Sequence, residues 1–347
     1  MNGILLQEFH SRVKEIESYW QYLSSAARLS EMPFVGVSEP AETLVAKMAS
    51  SVSPGLRKGF DYSTVVVALY GAIEDYVERL IEQCADNINS ACSSYRHLPA
   101  DLRKHHERLS LRLSDRVDHP SYSGPLNFRT IVSNLHSCLE NDSHFRLNRE
   151  AFSLHTANVR SDVVRDMFNS LSISNIDSAV AAHPLMQKLS IELGRSQRDI
   201  YFYINDLADR RNVIAHGERP YDVISSSMIG EYFLASKIFG EALYECAAIG
   251  VFEIGIPPKA IGLGRPTAAY QSGRVVCFQP SQSFELGIGD QLFWRSQKSW
   301  KTAQIRSVQV NRNEFKKFSG KSGDKIGLGI SRNGNNVGEY WVVNNYF

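Results

Sequence analysis

"ADRRNVIAHGERP", residues 208–220, sets Arg210, Arg211, Asn212 and His216 within about two helical turns and then meets Gly217. Ile200, Ile204, Leu207, Arg211 and Ile214 fall on one helical face, so an arginine occupies a position that the pattern otherwise fills with apolar side chains. A guanidinium on an inner face needs a partner or a task, because an unpaired buried charge is costly. Gly217 suits the left-handed residue that closes a helix, which predicts a helix ending at His216. Five residues on an ideal helix turn His216 roughly 140° away from Arg211, so the two converge only if the last turn departs from regular geometry.

Helical periodicity extends outward from this stretch. "ILLQEFHSRVKEIESYWQYL" places Leu5, Phe9, Val13, Ile16, Trp20 and Leu23 on one stripe, the pattern of a core or dimer-facing helix. "SSVSPG" at 50–55 reads as a break, and a second long helix, buried at its start, is expected from Asp61 through "DYSTVVVALYGAIEDYVERLIEQCADNI". A basic helical segment follows at 96–120. Further helices are expected at 127–139, 159–171, 184–193 and 197–216, and "SSMIGEYFLASKIFGEALYECAAIGVF" closes a helical domain over residues 1–254.

At "GIPPKAIGLGRP" (255–266) prolines and glycines replace the helical period and mark a linker. Beyond it, residues 267–347 carry short alternating runs, "GRVVCF", "DQLFWRS", "TAQIRSVQV", "KIGLGIS" and "EYWVVNN", separated by glycine and asparagine turns. So many short strands in so little chain predict a small closed barrel. The fold class expected is therefore multidomain, α then β: an N-terminal helical bundle followed by a small C-terminal β-barrel. "SGKSGD" contains Gly-Lys-Ser, but Phe315 stands where a phosphate-binding loop requires its first glycine and a hairpin replaces the helix, which excludes that reading.

The 347 residues allow two cores, and the net charge of +1 gives no global pull toward any partner, so electrostatic arguments must be local. Cys84, Cys92, Cys138, Cys246 and Cys277 form no paired spacing, as expected of reduced thiols in the cytoplasm. No apolar run is long enough to span a membrane. No metal or cofactor motif emerges; the His105–His106 pair lacks companion ligands.

The Arg211/His216 pair has two readings. It is a capping histidine beside a paired structural arginine, or it is a centre for phosphoryl chemistry on RNA. In the second, His216 moves a proton at the 2′-hydroxyl or the leaving 5′-oxygen, and Arg211 stabilises charge gathering on the phosphate. That reaction requires no metal, because the nucleophile belongs to the substrate.

"DLADRRNVIAHGE" resembles the signature of the HEPN superfamily, an arginine, four to six residues and a histidine, with a polar residue after the arginine. Arg211, Asn212 and His216 match it position by position. "VVVALYGAIEDYVERLIE" is similar to the long helix of the RiboL-PSP-HEPN branch, with Tyr70, Glu74 and Tyr76 at the corresponding places. The resemblance covers roughly residues 1–250. It implies a helical bundle, a homodimer with both Arg/His pairs at one cleft, and metal-independent endoribonuclease activity. The family's usual company implies a toxin or antiphage effector, with an antitoxin or regulatory protein as partner. Many members lack catalysis, so a non-catalytic RNA-binding or regulatory adaptor is the alternative, and a protein scaffold a third. Glu74 is expected to hold the Arg211 fork in place.

The C-terminal segment resembles, through "LGIGDQLFW", "AQIRSVQVN" and "SGKSGDKIGLGIS", the second domain of translation GTPases, which implies a binding barrel. Its Lys298, Lys301, Lys316 and Lys317 are candidates for RNA phosphates, with Phe293, Trp294, Trp300, Phe315 and Phe318 interleaved either as stacking platforms or as barrel core. Arg103, Lys104 and Arg108, in a segment that also holds Arg96, Arg112 and Arg116, and Arg210 beside the motif complete the RNA-binding candidates.

Overall fold

The computed structural model describes residues 3–29, 39–117, 126–140, 144–195, 201–217, 224–256, 260–296 and 299–343. Helices run α1 (Ile4–Leu29), α2 (Glu39–Ser51), α3 (Pro54–Ala91), α4 (Ala100–Ser114), α5 (Phe128–Glu140), α6 (Arg149–Ser153), α7 (Ser161–Ser170), α8 (Ile176–Ala181), α9 (Pro184–Glu192), α10 (Phe202–Ala215) and α11 (Ser226–Ile254). Helix α3 starts earlier than its apolar pattern suggests. Ser53 accepts a hydrogen bond from the Leu56 amide at its N-terminus and Pro54 follows in the first turn, so "SVSPG" is a start signal as well as a break.

Helix α3 is the axis of the bundle, with α1, α10 and α11 packed along it. Phe9 of α1 stacks on Tyr76 of α3 with centroids 4.3 Å apart, and the Tyr76 hydroxyl donates to the Gly240 carbonyl of α11 at 2.8 Å. Only glycine fits there: a Cβ on Gly240 would lie 2.4 Å from the Phe9 ring. The chain segment after α5 is anchored by a buried polar knot. The Asn148 amide donates to His106 Nε2 at 3.0 Å, and its side chain donates to Ser110 Oγ and the Ile131 carbonyl. Burial without a carboxylate lowers His106 to about 4, so this ring is a neutral acceptor in the core.

Strands β1 (Ile261–Gly264), β2 (Ala268–Tyr270), β3 (Val275–Phe278), β4 (Phe284–Gly287), β5 (Gln291–Ser296), β6 (Ser299–Val310), β7 (Asn313–Phe315), β8 (Lys317–Gly320), β9 (Ile326–Ile330) and β10 (Tyr340–Val343) follow. The first lies inside the stretch whose composition marks the linker. The main sheet is antiparallel in the order β1-β10-β5-β6-β9-β3-β2, with β4 and β8 paired separately. The long β6 pairs with β5 over Ser299–Gln304 and with β9 over Ile305–Val310, and this division curls the sheet around its own core. The result is a curled half-barrel; its ends, β1 and β2, do not pair with each other, so closure is incomplete.

The sheet docks on the bundle. Phe293 of β5 stacks on Phe252 of α11 with centroids 4.1 Å apart, and Trp300 meets the same ring edge-on. Nearby, Arg332 binds the buried Glu245 of α11 at 2.7 Å, and Glu245 also meets His183 Nε2 at 3.0 Å.

Candidate active site

Helix α10 ends as its sequence suggests. Ala215 is its last residue, His216 caps it, and Gly217 takes φ +75°, with its amide reaching the Ile214 carbonyl at 3.0 Å. His216 is consequently exposed at the helix end. Among the described residues no hydrogen bond joins it to Arg211.

The loop at 154–160, between α6 and α7, is stitched between two helices. On the α10 side, Asn205, Asp209 and Asn212 stand at i, i+4 and i+7 and hold, in turn, the first residue of α7 and two residues of the loop. Asn205 Oδ1 accepts the Ser161 amide at 3.0 Å, Asp209 pairs with Arg160, and Asn212 Oδ1 accepts from Asn158 Nδ2. On the α3 side, the Tyr70 hydroxyl accepts the Val159 amide at 2.8 Å and donates to Glu74 at 2.8 Å, while His155 Nε2 meets Glu78 at 2.8 Å.

Arg211 lies where these connections meet. Its guanidinium stands over the Tyr70 ring, 5.2 Å from the centroid, and donates to Asn158 Oδ1 at 3.4 Å. No carboxylate among the described residues forms an ion pair with it. Glu74 does not grip the arginine fork directly; the phenol of Tyr70 mediates between them. Burial, reinforced by the bond to Glu74, pushes the Tyr70 phenol well above its usual range, so it stays protonated and works as a relay of hydrogen bonds. His155 is raised by its bond to Glu78, against the effect of burial, with the Ala157 carbonyl adding a second acceptor. Both of its ring nitrogens thus face acceptors, which suits the imidazolium.

Arg210, next in the chain, has a different fate. It binds Asp206 at 2.5 Å and the Tyr62 hydroxyl at 2.9 Å, with only 19% of its side chain exposed. Burial lowers its pKa, but these hydrogen bonds outweigh that and raise it. This is the paired structural arginine of the motif, and its guanidinium is turned away from solvent rather than presented to RNA. Arg103 likewise buries its Nε, without a hydrogen-bond partner, and only part of the residue reaches solvent.

Lys104 and Arg108 are exposed on α4, as are Lys301 on β6 and Lys316 in the bend between β7 and β8. Lys317 is exposed but paired with Glu285 at 2.6 Å, and Lys298 lies outside the described residues. The interleaved aromatics are packing groups, not open stacking platforms. Trp294 stacks on Tyr340 inside the half-barrel, Phe293 faces α11, and Phe315 and Phe318 pack against the sheet core. His106 is buried in the helical core while His105 lines a surface groove, so the pair does not converge on one point. Asn158 and His155 escape the sequence reading; the one available signal was the polar stripe of Asn205, Asp209 and Asn212 on a helix with an otherwise apolar face.

The sequence model of the RiboL-PSP-HEPN family matches residues 43–248, more than half of the chain, and the chain belongs to that family. The matched span contains α3, the loop and α10. Members of the HEPN group are often ribonucleases and often bind RNA, so the coarse class supported is a ribonuclease or nucleotide-related role. No curated protein and no solved structure matches the chain. No helix among the described residues is long and apolar enough to cross a membrane.

Proposed function

We propose that this chain is a metal-independent endoribonuclease of the HEPN type, acting as a toxin or antiphage effector, with Arg211 and His216 as its catalytic residues. The observation that carries the proposal is the contrast on α10: Arg210 is neutralised by Asp206, whereas Arg211 is positioned by neutral groups and keeps its charge for an external anion. A guanidinium oriented by a ring face and an amide, with no carboxylate competing, is prepared for a phosphate. His216 would take the proton from the 2′-hydroxyl as its oxygen attacks phosphorus, or give one to the departing 5′-oxygen. Asn212 and Glu74 act through Asn158 and Tyr70 as positioning residues.

Within one chain His216 and Arg211 do not meet, so the proposal includes a homodimer in which two Arg/His pairs share a cleft. Val67, on the same face of α3 as Tyr70 and Glu74, is 44% exposed beside the site, an apolar residue suited to cover by a second copy. The half-barrel, with its likeness to the second domain of translation GTPases, would contribute RNA contacts through Lys301 and Lys316.

The test is cleavage of total RNA by the full chain and by His216→Ala. An exposed capping residue can be replaced without loss of core packing, so the variant should keep its fold and lose cleavage by two to four orders of magnitude, roughly the worth of a general acid or base. Equal cleavage by the two proteins would remove His216 from the mechanism.

A further inference from the structure

A groove of about 450 Å³ runs between α4 and α7, with His105, Arg108 and Arg112 on one wall, Asn169 and Ser170 on the other, and His155 in its floor. Arg108 and Arg112 line the groove, and Lys104, one turn before them and outside its lining, continues the same stripe. The three stand at i, i+4 and i+8, which sets exposed cations about 6 Å apart along the helix axis. None of the three forms an ion pair with a carboxylate among the described residues; Arg108 donates to His105 Nδ1 at 3.3 Å. One acidic side chain, Asp166, lies on the groove, and Arg165 pairs with it at 3.4 Å. Positive charge therefore prevails along this wall, in a protein whose overall charge is close to zero.

The groove is connected to the candidate active site through the loop. His155 in its floor and Asn158, which holds Arg211, are three residues apart, so the chain between them spans at most about 10 Å. His155 is itself fixed by Glu78 and the Ala157 carbonyl. A row of evenly spaced cations suits a ligand with evenly spaced negative charge, and its position beside Arg211 suits the strand on which Arg211 acts.

We propose that the α4–α7 groove binds the phosphate backbone of a single RNA strand and leads it to Arg211. The inference rests on the ribonuclease reading above for the identity of its ligand. Phosphate contacts of this kind fix the register of a strand without reading its bases.

The experiment compares the full chain with its Lys104→Gln/Arg108→Gln/Arg112→Gln variant, both carrying His216→Ala so that the RNA stays whole. Binding of a fluorescein-labelled unstructured RNA oligonucleotide is followed by anisotropy between about 50 and 200 mM salt. Each phosphate contact to a single strand contributes about 0.7 to the slope of log K against log salt, so losing the three should reduce the slope by about 2. Arg108→Lys/Arg112→Lys keeps the charge and should keep the slope. An unchanged slope and affinity in the triple variant would overturn the proposal, as would a parent protein that binds no RNA. So would an oligoglutamate peptide that binds the parent more tightly than the RNA does and loses that binding in the triple variant, because the groove would then be a dock for an acidic protein. The two readings fail separately. A reduced slope with no RNA cleavage by the parent carrying His216 keeps the groove and removes the nuclease, whereas cleavage with an unchanged slope does the reverse.

Discussion

Arg210 and Arg211 are neighbours in the chain, yet the two sides of α10 that they serve are built for opposite ends. On the Arg210 side, Asp206, Tyr62 and Tyr232 converge: Arg210 and the Tyr232 hydroxyl both bind Asp206 Oδ2. That cluster is closed, each charge answered within the fold. On the Arg211 side the partners are a ring face and a carboxamide, and the loop that supplies the carboxamide is held by separate contacts to α3 and α10. Sequence alone left Arg211 between a structural and a catalytic reading; in the structure Arg210 is paired internally, while Arg211 has no carboxylate partner among the described residues. A guanidinium whose surroundings are fixed but whose charge is not cancelled is the arrangement expected of a group that works on a ligand.

The largest effect expected from breaking this contrast is on cleavage. Arg211→Lys cannot present a planar fork to a phosphate and should lower the cleavage rate by about two to three orders of magnitude, with the melting temperature unchanged. Arg210→Met should do the opposite. It leaves the Asp206 carboxylate short of its counter-charge, so chemical denaturation should show a loss of about 2 kcal/mol, while cleavage by the folded fraction persists. A large activity loss in Arg210→Met without destabilisation would erase the distinction between the two sides.

Smaller effects sharpen it. Asn158→Ala removes the amide that bridges Arg211 and Asn212, and cleavage should fall by about tenfold, the worth of one modest hydrogen bond in orientation. Stability should follow pH through His106, whose folded value of about 4 lies below its ordinary 6.5. A depressed folded pKa means the unfolded chain binds the proton first. The contribution is therefore complete above about 6.5 and is lost as pH falls toward 4, a change of up to roughly 3 kcal/mol. His106→Gln should flatten that part of the stability profile. His155 has the reverse sign: its folded pKa is raised, so its contribution to holding the loop is present at low pH and declines as pH rises through the raised value.

The elements with a strong period were legible in the sequence. The stripe from Leu5 to Trp20, the closure of α10 at Gly217 and the alternating runs of the C-terminal strands all correspond to observed elements. Pro54 misled because a proline in the first helical turn and a proline in a break look alike until Ser53 is recognised as the cap. Leu292, Phe293 and Trp294 are buried on both faces of β5 because α11 covers its outer side, and this short apolar run was the signal that the sheet would not stand free. The candidate site was legible only in part. Arg211, Asn212 and His216 lie in one motif, but Asn158 sits in a loop with no period and reaches them across a separation of 53 residues. Nothing in spacing could have joined Tyr70, Asn158 and Arg211, because their meeting is made by the packing of α10 on α3.

The central claim is that Arg211, and not Arg210, serves a metal-free cleavage centre. It is tested most directly by incubating one RNA pool in EDTA with the full chain, Arg210→Lys and Arg211→Lys, then reading the termini of the products. The parent and Arg210→Lys should both cut and leave 5′-hydroxyl and 2′,3′-cyclic phosphate ends, the products of attack by the 2′-oxygen, while Arg211→Lys leaves the RNA intact. Cleavage by Arg211→Lys at the parent's rate, or no cleavage by the parent, would contradict the account.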